Sequence, residues 1–389
     1  MAFLDTERAT LERLLPGLDA ALSCHPLEKL ESPGSPIVPL FKEAGGPAVM
    51  IPSDRGGKGG SMLDVVRVNR AIAARSPSLS IISTMHNFSI FSLVDFVRTT
   101  QLPAAVALLE GIAAGQLICA SAVYEGISKP NPATMLSGRR ERGGFVIKGT
   151  KKPCTSSRSL DLAFVSLIDG DATGPRPRLG LALVHSGTPG LSHREFWTSP
   201  ALRASESDEL VFDDVWVPEA QVFFPDDDKD VRFESDWTLF SGGDRPVQTI
   251  EVAGPVAFML LSCAAYIGMA SALVERVLVA GRGTAESRMA LVAEVEGAMS
   301  ATEAIARAVM AEEWSWELLA RSLLVRYSVQ GALQRAAENA AELVGSATFF
   351  QTADVSLLLT SVRALAYHPP TRANAAVYLD RHLFGDRKR

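Results

Sequence analysis

The side chains in this chain able to move a proton, attack a carbonyl or hold a metal are few, and most stand apart. His25, His185, His193 and His382 have no second histidine or carboxylate at ligand spacing, which argues against a metal centre. The cysteines Cys24, Cys119, Cys154 and Cys263 show neither the close pairs of a zinc site nor a disulfide framework, and a reducing cytoplasm is the simplest compartment for them. Ser156 and Ser157 lie in a serine-rich turn without a Gly-x-Ser-x-Gly elbow, so they read as hydroxyl and amide donors lining a site rather than as a hydrolase nucleophile. Asp213 and Asp214 fall at a strand end and read as turn or surface acids. The run from Asp54 to Gly60 imitates a phosphate-cradling loop but lacks the Gly-Lys-Ser/Thr ending and a preceding strand, which leaves a flexible turn between helices. No Gly-x-Gly-x-x-Gly follows a strand, and this removes the commonest dinucleotide fold.

The elements that must position any site change texture along the chain. Residues 1–115 read as an N-terminal helical domain, with helices at Thr6–Leu18, Met62–Ala74, His86–Val97 and Pro103–Ala114. Residues 116–225 drop to a period of two in short runs such as Phe145–Gly149, Leu162–Ile168, Leu179–Val184 and Leu210–Val217, which predicts a central antiparallel β-sheet or small barrel. The acidic segment Pro225–Asp230 reads as a linker. Residues 226–389 form a C-terminal helical bundle, including Ala298–Tyr327 and Gln330–Val344 with Gly345 as a C-cap. The fold class is thus α+β and multidomain. The apolar run Val252–Met269 reads as a buried core helix, not a membrane span, because it carries Gly254, Pro255 and Ser262 and passes into Glu275 and Arg276. The first residues carry acids where a secretory signal has a basic start, so export is not expected. With 38 Lys and Arg against 44 Asp and Glu, the net charge of −6 offers no electrostatic grip on nucleic acid or an anionic membrane.

Four segments in order give the chain a specific likeness: Ile51–Ser61, Gly149–Asp161, Arg203–Pro218 and Gly268–Arg276. Together they resemble the acyl-CoA dehydrogenase superfamily of flavoproteins. The resemblance implies a bound flavin, FAD first and FMN as the alternative. Hydrogen bonds to the isoalloxazine come from the strand at Val123-Tyr124-Glu125 and from Cys154, Thr155 and Ser156. Such donors suit a reduced flavin, which gathers negative charge around N1 and O2. It also implies a homodimer or homotetramer, an acyl-CoA or acyl-carrier-protein substrate, and a flavin reductase or electron-transfer partner.

The departures from the family pattern are equally informative. Where the dehydrogenases carry the carboxylate that removes the substrate's α proton, this chain has Pro369 in one register and Phe258 in the other, and neither accepts a proton. The ending Arg363-x-x-x-Tyr367-His368-Pro-Pro looks more like the superfamily's monooxygenase branch. Those enzymes receive reduced flavin from a separate reductase, form a C4a-hydroperoxide and often place a histidine beside the flavin. His86 falls in a region that faces the flavin in that branch, and a neutral imidazole there can give a proton or hold a peroxide by hydrogen bonding. The segment Ala280–Met289 lacks the Phe-Gly and Gln that grip the dinucleotide, leaving Arg282 and Arg288 as the candidates to meet a pyrophosphate.

Three readings follow. The first is an oxidoreductase acting on the CH–CH group of an acyl thioester, with His368, Tyr367 or Glu125 as an unconventional base. The second is a two-component monooxygenase using reduced flavin and O2, with His368 and His86 as candidate catalytic groups. The third is a non-catalytic binding protein on the same fold.

Overall fold

A reciprocal cap starts the first long helix: the Ser61 hydroxyl accepts from the Asp64 amide (3.1 Å), and the Asp64 carboxylate accepts from the Ser61 amide (3.0 Å). The computed structural model describes residues 2–123, 136–171, 179–224 and 249–384, so Tyr124, Glu125 and the linker Pro225–Asp230 lie outside the described residues. Four short helices precede the cap, α1 (Asp5–Leu14), α2 (Leu18–Ser23), α3 (Leu27–Leu30) and α4 (Ile37–Glu43). After it come α5 (Met62–Arg75), α6 (Pro77–Thr100) and α7 (Pro103–Gly115). Helix α6 begins well before the expected His86, because Ser76 caps the Leu79 amide and Pro77 occupies the first turn. Ser80 and Thr84 bond back to the carbonyls of Pro77 and Ser80, and Ser78 donates to the Glu31 carboxylate, which lets a polar-looking stretch lie buried in a helix.

The glycine-rich run ahead of α5 is a tight turn with its amides turned inward. Gly57, Lys58, Gly59 and Gly60 donate to the carbonyls of Pro52, Ala48, Ile51 and Val49, so none of these donors is left to cradle a phosphate. A Cβ on Gly57 would come within 1.9 Å of the Ile51 carbonyl oxygen, which is why glycine stands there.

The C-terminal helices are α8 (Thr249–Val279), α9 (Ala285–Met310), α10 (Trp316–Val344), α11 (Ser346–Gln351), α12 (Asp354–Arg363) and α13 (Arg372–Phe384). The stretch expected to run unbroken from Ala298 to Tyr327 is interrupted. Glu312 takes a left-handed φ of 55°, and Ser315 caps a new helix through the Leu318 amide. Helices α6 and α8 are long and apolar enough to cross a membrane by length and composition, but the most apolar window of α8 is wholly buried in protein. It packs against α5, α6, α9, α10 and α12.

Contacts divide the chain into two compact units. One holds residues 1–116, 199–204 and 241–389, so the helices that the sequence separates by the sheet region share one unit; the other holds 117–198 and 205–240.

The second unit is built on β1 (Cys119–Ala122), β2 (Ser137–Glu141), β3 (Gly144–Cys154), β4 (Leu162–Asp169), β5 (Leu179–His185), β6 (Leu191–Arg194), β7 (Asp208–Pro218) and β8 (Val222–Phe223). The expected strands are present, but the sheet is mixed rather than antiparallel, and among the described residues it does not close into a barrel. The order is β6-β7-β3-β2-β4-β5-β8, with β1 on β4, and β4 runs parallel to both β1 and β2. The cause is the turn after β3. Its far end is tied to the start of β1, with Asp161 donating its amide to the Ile118 carbonyl (2.9 Å) and its carboxylate accepting from the Ile118 amide (2.7 Å), so β4 leaves beside β1 in the same direction.

Candidate active site

Helix α12 continues as a 3-10 turn, Ala364–Tyr367, and stops at His368, whose backbone is extended (φ −70°, ψ 140°). Pro369 and Pro370 have no amide hydrogen and cannot prolong the ladder. The last carbonyls therefore need donors from elsewhere, and Arg326 of α10 supplies them. Its guanidinium donates to the carbonyls of Leu365 (3.0 Å), His368 (2.7 Å) and Pro369 (2.8 Å). Next to it, the Tyr327 hydroxyl donates to the carbonyls of Pro370 and Thr371, both at 3.2 Å.

The His368 side chain turns to α8, where Nε2 shares a 2.8 Å hydrogen bond with the Tyr266 hydroxyl. The two rings meet edge to face at 5.4 Å, and Phe258 lies nearly parallel to the imidazole at 6.3 Å. Phe258, Ser262 and Tyr266 recur every four residues and so share one stripe of α8. Ser262 Oγ, on the same stripe, is buried and has no hydrogen-bond partner among the described residues. Phe88 of α6 closes on Phe258 edge to face at 5.8 Å. His368 as a whole residue is half-buried, although protein atoms crowd around its imidazole. Burial, helped by the Arg326 charge, pushes its pKa down to about 4, so it is neutral at physiological pH. Burial pushes the Tyr266 phenol upward, partly opposed by Arg326, and it too is neutral.

The other expected catalytic groups are placed differently. His86 is fully buried in α6, and its Nε2 donates to the Pro47 carbonyl at 2.8 Å. Tyr367 is 82% exposed and stands outside the His368 cluster. Phe258 and Pro369, the two positions where the resemblance puts the missing acid, both flank His368. Tyr266, Ser262 and Arg326 were not anticipated. Their only signal was a polar or charged residue inside an otherwise apolar helical stretch.

In the sheet unit, the turn after β3 is lined with hydroxyls. Ser156 is held at φ 62° by its amide on the Ser205 carbonyl (3.0 Å), and the Ser157 amide donates to the Glu206 carbonyl (3.1 Å). Thr155 and Ser207 share a hydrogen bond of 3.0 Å, and Ser207 shares another of 2.8 Å with Ser205. All five of these hydroxyl residues are buried. This donor set fits the carbonyl-bearing edge of a flavin ring, because hydroxyls whose protons can reorient meet either a neutral or an anionic acceptor. Cys154 is fully buried and its thiol is pushed up to about 12 by burial, so it is a packing group. The Val123 carbonyl accepts from the Ser166 hydroxyl (3.0 Å) and from Lys151 Nζ (3.5 Å). Back in the helical unit, Arg282 is exposed, and Arg288 caps the chain after α8 by donating to the carbonyls of Gly281, Arg282 and Gly283. A concavity of about 460 Å³ on the sheet unit, lined by His185, Trp216 and Gln221 among others, contains none of these residues.

Comparison with known proteins gives the same direction. The family described as acyl-CoA dehydrogenase, middle domain, matches residues 125–215. Isobutylamine N-hydroxylase of Streptomyces viridifaciens is 36% identical over 391 residues, covering 99% of both chains. Among solved structures, a nitrososynthase from Micromonospora carbonacea var. africana superposes with a TM-score of 0.81 at 19% identity, over 98% of this chain and 97% of its own. FMN-bound TdsC, a dibenzothiophene monooxygenase from Paenibacillus sp. A11-2, gives 0.79 at 16% identity, over 97% and 98%. At those identities the structures speak for the fold.

Proposed function

This chain belongs to the acyl-CoA dehydrogenase superfamily of flavoproteins, and from that premise we propose that it is a flavin-dependent monooxygenase that N-hydroxylates a small primary amine. The carrying observation is the pair Phe258 and Pro369 around His368. Dehydrogenation of an acyl thioester requires a base, and an imidazole held near pKa 4 is a poor one for a carbon acid at neutral pH. The same imidazole suits the second reading, since it stays neutral and can donate or accept one hydrogen bond without repelling or trapping a proton. The full-length likeness to an amine N-hydroxylase supports the substrate class.

The flavin, when bound and reduced, supplies the two electrons that activate O2, so that amine, O2 and reduced flavin give hydroxylamine, water and oxidised flavin. Thr155, Ser156 and Ser207 would hold its polar edge through their hydroxyls. His368, kept in place by Tyr266, would offer the proton-handling group, and Phe258 with Phe88 would exclude water around it. Arg288 is engaged with backbone carbonyls, which favours FMN, or a flavin bound without a grip on its nucleotide end, over the FAD first expected. A flavin reductase is the partner that this scheme requires.

The test supplies the purified protein with FMN or FAD, a flavin reductase and NADH, and assays short aliphatic amines for hydroxylamine by mass spectrometry. In parallel, oxidised protein is mixed anaerobically with acyl-CoA thioesters. Hydroxylamine formation that needs the protein supports the proposal; bleaching of the flavin by a thioester, without amine oxidation, would return the dehydrogenase reading to first place.

A further inference from the structure

Arg326 is 1% exposed, and among the described residues no carboxylate is within its reach. Among the described residues its three hydrogen bonds all end on carbonyls of one turn, at Leu365, His368 and Pro369, and its Nε has no partner. Burying a cation in this way is costly, and a simple helix cap does not require it, since exposed lysines or water serve that purpose elsewhere. The arrangement brackets one residue. The backbone is clamped at His368 and on either side of it, and the side chain is met by Tyr266 from the neighbouring helix.

We propose that Arg326 is a positioning residue that fixes the His368 imidazole against Tyr266 by gripping the backbone on both sides of it. A guanidinium is the group for this, because its planar fork serves several carbonyls at fixed angles and its charge does not titrate. That fixed charge also opposes protonation of the imidazole. The titratable or charged groups around His368 among the described residues are Tyr266 and Cys263 from α8 and Arg326 and Tyr327 from α10, with the exposed Tyr367 on its own turn. Burial raises the pKa of Tyr266, Tyr327 and Cys263, which are neutral at physiological pH, so Arg326 is the charge that sets the local field. The importance of this positioning rests on the reading of His368 as the proton-handling group, but the coupling itself is a property of the polypeptide alone.

The experiment follows ring-labelled histidine by NMR in flavin-free protein, with the His368 signals assigned from their loss in His368→Asn. In the wild type these signals should stay at neutral-ring positions from pH 8 to 5.5. Arg326→Gln should move the ring shifts away from those imposed by the Tyr266 and Phe258 rings and move the His368 pKa upward, and Arg326→Lys, which keeps the charge but not the fork, should move the ring shifts without that upward change. In turnover, both variants should lose about tenfold or more in kcat with little change in KM. Wild-type His368 shifts that lack the imprint of the Tyr266 and Phe258 rings overturn the proposal even if Arg326→Gln does not fold, and so does a folded Arg326→Gln or Arg326→Lys protein with unchanged His368 shifts. If His368→Asn still hydroxylates amines at the full rate while the NMR coupling persists, the functional reading of His368 fails and the Arg326 inference stands.

Discussion

Phe258 and His368 lie with ring planes 17° apart and centroids 6.3 Å apart, although they belong to helical segments separated by most of the C-terminal bundle. The apolar ring covers one face of the imidazole, and Tyr266 holds its edge. A base strong enough for a carbon acid needs the opposite surroundings: water, or an anion that welcomes the proton.

Tyr266→Phe removes one hydroxyl and leaves His368 Nε2 without its partner. Stability should fall by about 1–3 kcal/mol in urea unfolding, the cost of leaving a largely buried polar atom unpaired. Turnover should fall through kcat rather than KM, and a KM effect alone would mean that Tyr266 contacts substrate instead.

Stability should depend on pH in a window set by His368. Its folded pKa, about 4, lies below the ordinary 6.5, so between these values the unfolded chain binds a proton that the folded one refuses. Nothing is lost above pH 6.5, and stability falls progressively as pH drops from there toward 4. The full effect is at most on the order of 3 kcal/mol, trimmed by solvent screening because the residue is only half-buried. Urea midpoints at pH 7.5, 6 and 5 should fall more steeply for wild type than for His368→Asn, and parallel curves would show that the ring protonates normally.

Thr155→Val replaces a hydroxyl by a methyl of similar size in the serine-lined turn. Oxidised FMN should bind nearly as in the wild type, whereas reduced FMN should bind about tenfold more weakly, because the lost donor faces charge only in the reduced form. Anaerobic titrations with both forms measure this directly. Equal weakening of the two would assign Thr155 a shaping role without preference for the reduced ring.

Amine oxidation should speed up with pH. The cluster around His368 contains no carboxylate among the described residues and has a buried arginine, so an ammonium ion is disfavoured there and the free base is the form that enters. For a series of amines of different basicity, the rise in kcat/KM should follow each amine's own pKa. A profile identical for all of them would place the titrating group on the protein.

The strands were legible in the sequence because alternation is local: Leu162–Ile168 and Leu210–Val217 declare two faces within one run. Strand direction is not local, and the parallel pairing of β4 with β1 depends on the bond between Asp161 and Ile118, which no periodicity records. The break at Glu312 was invisible for a related reason, since good helix formers surround it and no glycine marks the left-handed residue. His368-Pro-Pro announced a stop, but Tyr266 and Arg326 look like ordinary members of helices until tertiary packing brings them to that stop. The serine-rich turn was recognisable through its family motif, while its partners Ser205 and Ser207 came only with the fold.

The burial of α8 has a consequence for how the molecule is made. Asn69 of α5 donates to the Leu261 carbonyl, and Arg70 donates to Ser271, so the first large helices are completed by one that leaves the ribosome only after the entire sheet has been synthesised. Until then the apolar sides of α5 and α6 have no permanent cover. Such delayed pairing slows assembly and exposes sticky surface, and the nascent chain should therefore depend on chaperones most strongly during translation of the strands.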